Sequence, residues 1–455
     1  MEKDLERAFQ IFTEMIENDP KNEKKETSYA IVLKGNIYQI GFKEIKLEID
    51  KAIQLYQQAI ELKNSAAMFN LASIYYNGAG GIKVDVNKAI QLYQKSIELK
   101  NSQSMYGLAL IYHFGKEGIK VDINRAVELY KQAIEFNHPT AMFSLANIYK
   151  KGLGGLKVDI NQAIQLYKRS IELNETNSML NLANVYAYGF GGVKVDIQQA
   201  IQLYKLAIEH KNSSAFNNIA IVYQQGLGSI KPDINKAIEF YNQGVEQNNS
   251  MSMHNLASIY LDGAGGIKVD VNKAIQLYQK SIKLKNAQSM YGLALIYHLG
   301  KGGIKVDINR AVELYKQSIT FNNADSMINL ANIYEDGTGG LMVDINKAVE
   351  LYKSAIKISN NPNALHNLAN IYETGKAGMK VDIHQAVELY KQASERKFTE
   401  SMNNLALIYK NGTGGIKVDI NQSINLLKQA IQLKSSSAMV HFFFFQKIQF
   451  ITFKR

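Results

Sequence analysis

The stretch that decides the fold is AMFNLASIYYNGAGGIKVDVNKAIQLYQKSIELK, from Ala67 to Lys100. Its first part places apolar side chains at i, i+3, i+4 and i+7, a spacing that gives an α-helix one apolar face. These positions are held by Met68, Leu71, Ala72 and Tyr75. A second helical run follows and contains Ala89, Ile90, Leu92, Tyr93, Ser96 and Ile97. We therefore expect two helices, which we call helix A and helix B.

The residues between the two runs provide the signals that end one helix and start the next. Gly78 follows helix A, where a glycine can adopt the left-handed conformation that closes a helix. Asp85 precedes helix B and is well placed to act as its N-cap. The stretch therefore predicts helix A, a glycine-rich loop, helix B and a short turn.

This unit repeats along most of the chain. The dipeptide Val-Asp, once Pro-Asp, returns with a period of 37 residues, and only the step from Asp344 to Asp382 is one residue longer. Its aspartates are Asp85, Asp122, Asp159, Asp196, Asp233, Asp270, Asp307, Asp344, Asp382 and Asp419. A fixed period of roughly 20 to 50 residues is typical of a solenoid. The pattern predicts an all-α solenoid of antiparallel helix pairs, because one pair cannot bury its apolar faces alone.

The repeats define three regions. A degenerate copy is recognisable before the first Val-Asp, since Glu48 lies one full period before Asp85. We assign residues 1–28 to a capping helix with a polar linker, 29–437 to about eleven repeats, and 438–455 to a degenerate hydrophobic tail. In the tail, Phe443 stands where a small alanine is expected and would overpack a close helix contact. This end is a predicted aggregation liability.

A longer period of five repeat units is superimposed on the short one. The segment Gly78–Leu99 returns as Gly263–Leu284, and only Glu98 and Lys283 differ. This near-identity indicates duplication of a five-repeat block. It predicts two similar surface patches and raises the possibility of bivalent binding.

Composition narrows the class of protein. The formal net charge is +11, and there is no cysteine, which excludes disulfides and thiolate metal sites. A lysine two residues before most repeat aspartates would form a ladder along one edge, either as a solvated loop edge or as an attachment line for acidic partners. The lysines are Lys83, Lys120, Lys157, Lys194, Lys231, Lys268, Lys305, Lys380 and Lys417. With no signal-peptide core and no run long enough to span a membrane, we expect a cytoplasmic protein without a membrane span.

The sequence gives no case for an enzyme. The Gly-x-Gly-Gly loops follow a helix, whereas a phosphate-binding glycine loop follows a strand. The eight histidines show no ligand spacing, and no nucleophile, base and orienting group come together recognisably. We therefore expect no catalytic residues, no cofactor and no metal.

The repeated pattern Met-x-x-Leu-Ala-x-Ile-Tyr-x-x-Gly-x-Gly-Gly, followed by Asp-x-x-Lys-Ala-Ile-x-Leu-Tyr-x-x-Ser-Ile, resembles the Sel1-like repeat, a longer-looped relative of the tetratricopeptide repeat. The resemblance covers roughly residues 29–435. This chain mostly has Leu-Ala where the family usually has Leu-Gly, which keeps a small residue. The resemblance implies a right-handed superhelix with helix A on its concave face, and a role as an adaptor or scaffold.

Two asparagine columns on helix A are the candidate binding residues. In the related tetratricopeptide repeats, the column after Leu-Ala often carries an asparagine that binds a peptide backbone or carboxylate. Here that column contains Asn147, Asn184, Asn332 and Asn370, and the column before Leu-Ala contains Asn181, Asn329 and Asn367. Tyr106 and Tyr188 are candidate aromatic anchors. The alternative is that these polar groups need no ligand, and it predicts that replacing Asn147 and Asn184 by alanine would lower stability; partner contact predicts weaker binding with a nearly unchanged melting temperature.

The leading functional hypothesis is a non-enzymatic scaffold that binds a peptide or protein partner in the groove lined by helix A. The alternative is a helical-repeat RNA-binding protein that uses its basic charge. Nucleic-acid binding needs lysine and arginine facing phosphates, and the regular lysines lie in loops and on helix B. We therefore expect a protein partner and consider nucleic acid unlikely, with the oligomeric state open.

Overall fold

The computed structural model describes residues 2–21, 25–41 and 46–443. The last part of the predicted hydrophobic tail, residues 444–455, lies outside the described residues. The chain divides into two compact units, Met1–Pro232 and Asp233–Arg455. The division falls within the region 29–437 that the sequence predicts as one array, at the single Pro-Asp of the series.

Helices dominate the first unit. Its helices are α1 Glu2–Glu17, α2 Lys25–Ile40, α3 Ile49–Glu61, α4 Ser65–Asn77, α5 Val86–Glu98, α6 Ser102–Phe114, α7 Ile123–Glu135, α8 Pro139–Lys151, α9 Ile160–Glu172, α10 Thr176–Tyr188, α11 Ile197–Glu209 and α12 Ser214–Gln225. Even-numbered helices from α2 onward are helix A, and odd-numbered helices from α3 onward are helix B. Each helix A packs most closely on the helix B that follows it, from α2 with α3 to α10 with α11.

The second unit is built in the same way. Its helices are α13 Ile234–Glu246, α14 Ser250–Asp262, α15 Val271–Lys283, α16 Ala287–Leu299, α17 Ile308–Ile319, α18 Ala324–Asp336, α19 Ile345–Ser359, α20 Pro362–Thr374, α21 Ile383–Glu395, α22 Thr399–Asn411 and α23 Ile420–Gln432. Residues 436–443 are also helical. No β-strand occurs in the described ranges. The predicted all-α architecture of successive helix pairs is confirmed.

The repeat aspartates cap helix B, as the sequence predicts. Asp85 Oδ1 accepts a hydrogen bond from the backbone N–H of Lys88 at 2.9 Å, which satisfies one of the free N–H groups of the first turn. The same bond, to the residue three positions on, is made by Asp122, Asp159, Asp196, Asp233, Asp270, Asp307, Asp344, Asp382 and Asp419. Helix A has its own caps, and Asn101 Oδ1 accepts from the N–H of Ser104 at 2.9 Å.

The glycine loop closes one repeat against the preceding one. Gly78 ends α4 with φ 69°, the left-handed conformation expected of it. Gly80, two residues on, has φ 63°, and a Cβ atom there would lie 2.1 Å from Ile49 Cγ1 of the preceding helix B. The loop therefore needs glycine both for its backbone conformation and for the close approach of the two repeats.

Small residues allow the helices to approach, and large ones fill the space between them. Ala72 and Ala89 are fully buried, and the ring of Tyr93 is 3% exposed. The buried Ser96 donates to the backbone oxygen of Ser65 in the preceding helix A and accepts from Ser104 of the next one. These serines connect consecutive repeats through satisfied polar groups.

The N-terminal helix α1 packs against α2, the first helix A. Phe9 of α1 packs edge-on against Tyr38 of α2, with ring centroids 5.6 Å apart. Helix α2 begins at Lys25, so the structured repeat region starts within the segment 1–28 that the sequence assigns to cap and linker.

At the other end, the predicted overpacking by Phe443 does not occur. Its side chain is 68% exposed, whereas Phe442 packs against the core of the second unit. The alanine position is crowded only where a following helix B covers helix A, and no described residue covers Phe443. The liability at this residue is therefore exposed apolar surface.

The longer step from Asp344 to Asp382 is absorbed in one place. Helix α19 has 15 residues where most helices B have 13, and the left-handed residue after it is Asn360, with φ 46°. Asn361 then caps α20 by accepting from the N–H of Asn363 at 2.9 Å. The inserted residue thus lengthens helix B and leaves Asn360 alone between the end of α19 and the cap of α20.

Two adjacent glycines separate the cost of the backbone conformation from the cost of the close contact. Gly154 and Gly155 have φ values of 68° and 79°, but a Cβ on Gly154 would lie 2.4 Å from Ile123 Cβ, whereas one on Gly155 meets nothing within 4 Å. We expect Gly155→Ala to lower the free energy of unfolding by about 1 kcal/mol, and Gly154→Ala by about 1–3 kcal/mol more. Urea unfolding monitored by circular dichroism measures both; equal losses would contradict the close-contact role.

Candidate protein-interaction site

The first asparagine column binds the buried tyrosines of helix B. Asn147 Oδ1 accepts a hydrogen bond from the Tyr167 hydroxyl at 2.7 Å. Asn184 and Asn332 accept in the same way from the corresponding tyrosines of their own repeats, Tyr204 and Tyr352. The oxygen of each of these amides is therefore already used inside its own repeat.

The tyrosine hydroxyl needs this hydrogen bond because the tyrosine ring is buried. Tyr167 is fully buried, and this burial raises the pKa of its hydroxyl well above the usual value. A buried hydroxyl left without a partner costs about 1–3 kcal/mol. Helix A must therefore supply an acceptor at the depth where the hydroxyl emerges.

The other repeats meet the same requirement with different residues. Serine replaces asparagine at Ser73 and Ser258, which lie 3.1 and 3.0 Å from the hydroxyls of Tyr93 and Tyr278. Where the column holds leucine, a histidine three residues later takes over. The Nδ1 atom of His113 lies 3.0 Å from the Tyr130 hydroxyl, and that of His298 lies 3.1 Å from Tyr315.

The last repeat and the repeat of Asn370 differ from the repeats described so far. Leu407 occupies the column in the last repeat, and Leu427 occupies the position of the tyrosine, so no hydroxyl needs an acceptor. In the repeat of Asn370, the Tyr390 hydroxyl donates to Glu373 at 2.7 Å instead. The Asn370 side chain makes no hydrogen bond with any described residue.

The second asparagine column connects neighbouring helices A. Asn367 Nδ2 donates to Asn332 Oδ1 at 2.9 Å, across one repeat. Asn329 Nδ2 reaches the hydroxyl of Tyr291 at 3.4 Å, and Asn181 Oδ1 accepts from Lys150 Nζ at 3.0 Å. These candidates therefore have structural partners along the row of helices A.

The two candidate tyrosines differ in exposure. Tyr106 stacks on His138 of the next repeat, with ring centroids 4.8 Å apart, and is half-buried. Tyr188 is 42% exposed at the end of α10, and its ring lies 5.7 Å from the exposed ring of Phe190. Of the two, only Tyr188 presents an exposed aromatic surface.

Phe114, Phe190 and Lys151 are exposed near the ends of helices A in the first unit. Sequence reasoning named neither Phe114 nor Phe190 as a site residue. Both stand outside the repeated columns, Phe114 at the end of α6 and Phe190 in the loop after α10. Comparing the repeats with one another would have identified two columns in which most repeats hold small or polar residues, although the column of Phe114 also holds Tyr188 and Leu299 and that of Phe190 also holds Leu153 and Leu227.

The described residues were also compared with the requirements of a metal site and of a membrane span. Within the described ranges, no group of three or more histidine, aspartate or glutamate side chains is arranged to hold a metal ion. The helices of the described region include none that is both long and apolar enough to cross a membrane.

An array of helix pairs with a capped helix B, a glycine loop and a buried tyrosine defines a tetratricopeptide-like helical-repeat protein. More specifically, the chain belongs to the Sel1 repeat family, a fold typical of protein–protein interaction scaffolds and generally non-catalytic. The match comprises eleven repeats, at residues 35–64, 65–101, 102–136, 139–175, 176–212, 213–249, 250–286, 287–320, 324–360, 362–398 and 399–435. The predicted family and repeat number are confirmed.

Solved structures show similar folds. The protective antigen c5321 of uropathogenic Escherichia coli, which displays an SLR fold, is 26% identical, with 92% of this chain and 86% of that chain covered and a TM-score of 0.49. A Sel1 repeat protein from Oxalobacter formigenes is 25% identical, with coverage of 55% and 96% and a TM-score of 0.48. Yeast Tom70 is 17% identical, with 95% of both chains covered and a TM-score of 0.39. No curated protein matches the sequence significantly.

The asparagine–tyrosine bond changes the expected result of one substitution. We predict that Asn147→Ala lowers the free energy of unfolding by about 1–3 kcal/mol, because Tyr167 loses the acceptor of its buried hydroxyl. In a Tyr167→Phe background the same substitution should cost much less. Asn370→Ala is the matched control and should cost little, because its side chain bonds to no described residue. Denaturant unfolding compares the four variants with the unmodified chain; equal costs in both backgrounds would rule out the bond.

The buried histidines make the second unit sensitive to acid. Burial lowers the pKa of His254 to about 4; its Nδ1 lies 3.2 Å from Ser289 Oγ, and its ring centroid lies 5.5 Å from that of Tyr278. The unfolded chain takes up this proton near pH 6.5, whereas the folded chain does so only near pH 4. Stability is therefore complete above about pH 6.5 and falls by at most about 1.4 kcal/mol per pH unit below it.

The matched variant for this prediction comes from the chain itself. His254→Phe copies Phe69, which holds the same position in the first copy of the duplicated block. We expect it to reduce the loss of stability between pH 6.5 and 4.5, measured by urea unfolding across that range. His384→Gln, which removes an exposed histidine, is the matched control, and an equal reduction in both variants would contradict the assignment.

Proposed function

We propose that this protein is a non-enzymatic scaffold that binds a peptide or protein partner on the exposed face of its helices A. One observation supports this proposal above all others. The recurring aspartate and most of the recurring asparagine and serine side chains of helices A and B are used within the fold, as caps, tyrosine acceptors and links between repeats, whereas the periodic lysines are exposed in the loops. What remains for a partner is the set of exposed side chains that differ between repeats, and these include aromatic residues of the kind favoured in interfaces.

The position of the basic residues supports a protein partner over RNA. Lys83 and Lys120 of the periodic series are exposed in the A-to-B loops. Lys88 and Arg125, on helices B, pack over the rings of Tyr75 and Tyr112 at 4.1 and 4.3 Å. A row of phosphates on the helix A face would not face these groups, and phosphate contact is what gives affinity for nucleic acid.

Site-specific photo-crosslinking in cells tests the proposal. A photoreactive amino acid replaces Tyr188 or Met251, which are exposed on helices A of the two units, and in matched controls Lys168 or Lys353, which are exposed on helices B. We expect discrete protein adducts from the helix A positions and few from the helix B positions, by mass spectrometry. Adducts confined to helix B, or adducts to RNA that appear with all four probes, would overturn the proposal.

A further inference from the structure

Exposed aromatic and basic side chains gather at the ends of three consecutive helices A in the first unit. We call this group the basic–aromatic patch; it consists of Phe114, Lys150, Lys151, Tyr188 and Phe190. Lys150 Nζ lies 5.8 Å from the centroid of the Phe190 ring, and the Tyr188 ring lies 5.7 Å from the same ring. His113 connects Phe114 to the group. The His113 and Phe114 rings stack with their centroids 4.3 Å apart, and burial together with the positive charge of Lys151 lowers the pKa of His113.

The patch carries positive charge that the protein does not neutralise. Neither Lys150 nor Lys151 forms an ion pair with any described carboxylate. Lys150 donates to Asn181 Oδ1 at 3.0 Å, and partial burial together with the charge of Lys151 lowers its pKa. An anion placed between the two lysines would relieve this repulsion, and it would do so in a partly desolvated setting where the interaction is stronger than in water.

The aromatic side chains of the patch are unusually exposed. Phe114 is 66% exposed, Phe190 47% and Tyr188 42%, and the Tyr188 hydroxyl bonds to no described residue. Contiguous apolar surface rimmed by charge marks interaction sites, and aromatic residues supply much of the affinity at such sites. The occupant should therefore combine negative charge with an apolar or aromatic side chain.

The duplicated block shows that this chemistry is not required by the fold. Five repeats after the two lysines, at the duplicated positions, stand Glu335 and Asp336, and Phe114 corresponds to Leu299. Beyond the one-residue insertion, Tyr188 and Phe190 correspond to Thr374 and Lys376. The second unit therefore carries the opposite charge at the lysine positions and lacks all three aromatic rings.

A second copy of this chain is a poor occupant, although its second unit carries acidic residues. Lys376 Nζ lies 2.9 Å from Glu335 Oε1 and 3.0 Å from Asp336 Oδ1, and Glu335 Oε2 lies 2.7 Å from the Tyr352 hydroxyl. These carboxylates are already paired within their own unit. A partner segment with free carboxylates fits the unpaired lysines better.

We infer that the basic–aromatic patch binds an acidic segment of a partner protein that carries an aromatic residue, and that the second unit does not share this specificity. The lysines contact the carboxylates, while Phe190, Tyr188 and Phe114 receive the aromatic side chain. This inference rests on the proposed scaffold function and names the chemistry of one partner. The basic–aromatic patch thus lies outside the near-identical segments Gly78–Leu99 and Gly263–Leu284, where the two blocks keep like surfaces.

A peptide-binding experiment on the full chain tests the inference. The probe is the fluorescein-labelled peptide Gly-Glu-Asp-Phe-Glu-Asp-Gly, and binding is followed by fluorescence anisotropy at low and physiological salt. We expect saturable binding that weakens with salt, weaker binding when Ala replaces Phe in the peptide, and none when Lys replaces the acidic residues. The double variant Lys150→Glu with Lys151→Glu should weaken binding by about 10-fold or more, as for like-charge contacts in an interface.

The matched control reverses the same amount of charge elsewhere. Lys168→Glu with Arg169→Glu changes two adjacent exposed basic residues on α9, a helix B, and should change affinity less than about two-fold, the expectation for distant surface charge screened by salt. Lys151→Glu alone and Phe190→Ala test the patch without touching the half-buried Lys150. Circular dichroism and thermal melting establish that each variant is folded.

Several results would overturn the inference. These are equal losses in the patch variant and the helix B variant, binding of the lysine peptide, or displacement of the probe by a single-stranded oligouridine that depends on the same lysines. Concentration-dependent self-association of the unmodified chain in sedimentation velocity, abolished by the patch variant, would assign the patch to a second copy. Protein adducts from helix A that persist in the patch variant, together with no probe binding, would overturn this inference alone and leave the scaffold function standing.

Discussion

Each repeat that carries the buried tyrosine of helix B must give its hydroxyl a hydrogen-bond partner, and much of the helix A surface follows from that constraint. The ring fills the space that small alanines leave between the helices, so it cannot be removed without opening a cavity. Its hydroxyl emerges at a fixed depth beside helix A. The chain meets the demand with Asn147 in one repeat, Ser73 in another and His113 in a third. No acceptor is needed in the last repeat, where Leu427 replaces the tyrosine and Leu407 occupies the helix A column.

This constraint changes the meaning of polar residues in a repeat-protein groove. An asparagine column on helix A has the chemistry to hold a peptide backbone, yet here the oxygens of Asn147, Asn184 and Asn332 accept from tyrosine hydroxyls. The second column then links one helix A to the next, as Asn367 does with Asn332. In the function we propose, recognition falls to the exposed residues at the ends of helices A. The first and second units, which share so much sequence, differ most sharply there.

The sequence predicts local features of the fold well because the signals are local. Asp85 caps the helix that begins one residue later, and Gly78 ends the helix just before it, so both roles can be read from a few adjacent residues. The asparagine–tyrosine bond joins two different helices and depends on how they cross, so no local pattern reveals it. The information was nevertheless present in the comparison of repeats. Leucine at 110 coincides with histidine at 113, and leucine at 407 coincides with leucine at 427, a correlation that only the buried hydroxyl explains.

The lengthened helix α19 has a consequence for where this chain can change. The extra residue is accommodated before Asn360, whose N–H donates to Ile356 four residues back where Lys100 donates to Ile97 three residues back, and Asn361 still caps α20. The irregularity is thus confined to one junction, and Tyr352 and Tyr390 on either side of it are both fully buried. The B-to-A turn is therefore the permissive point of the repeat, where an insertion, an epitope or a protease site can be accommodated. The A-to-B loop is the more restrictive one in most repeats, because its glycine lies against the neighbouring repeat without space for a methyl group, and only in two described loops do Glu117 and Ala377 hold that position.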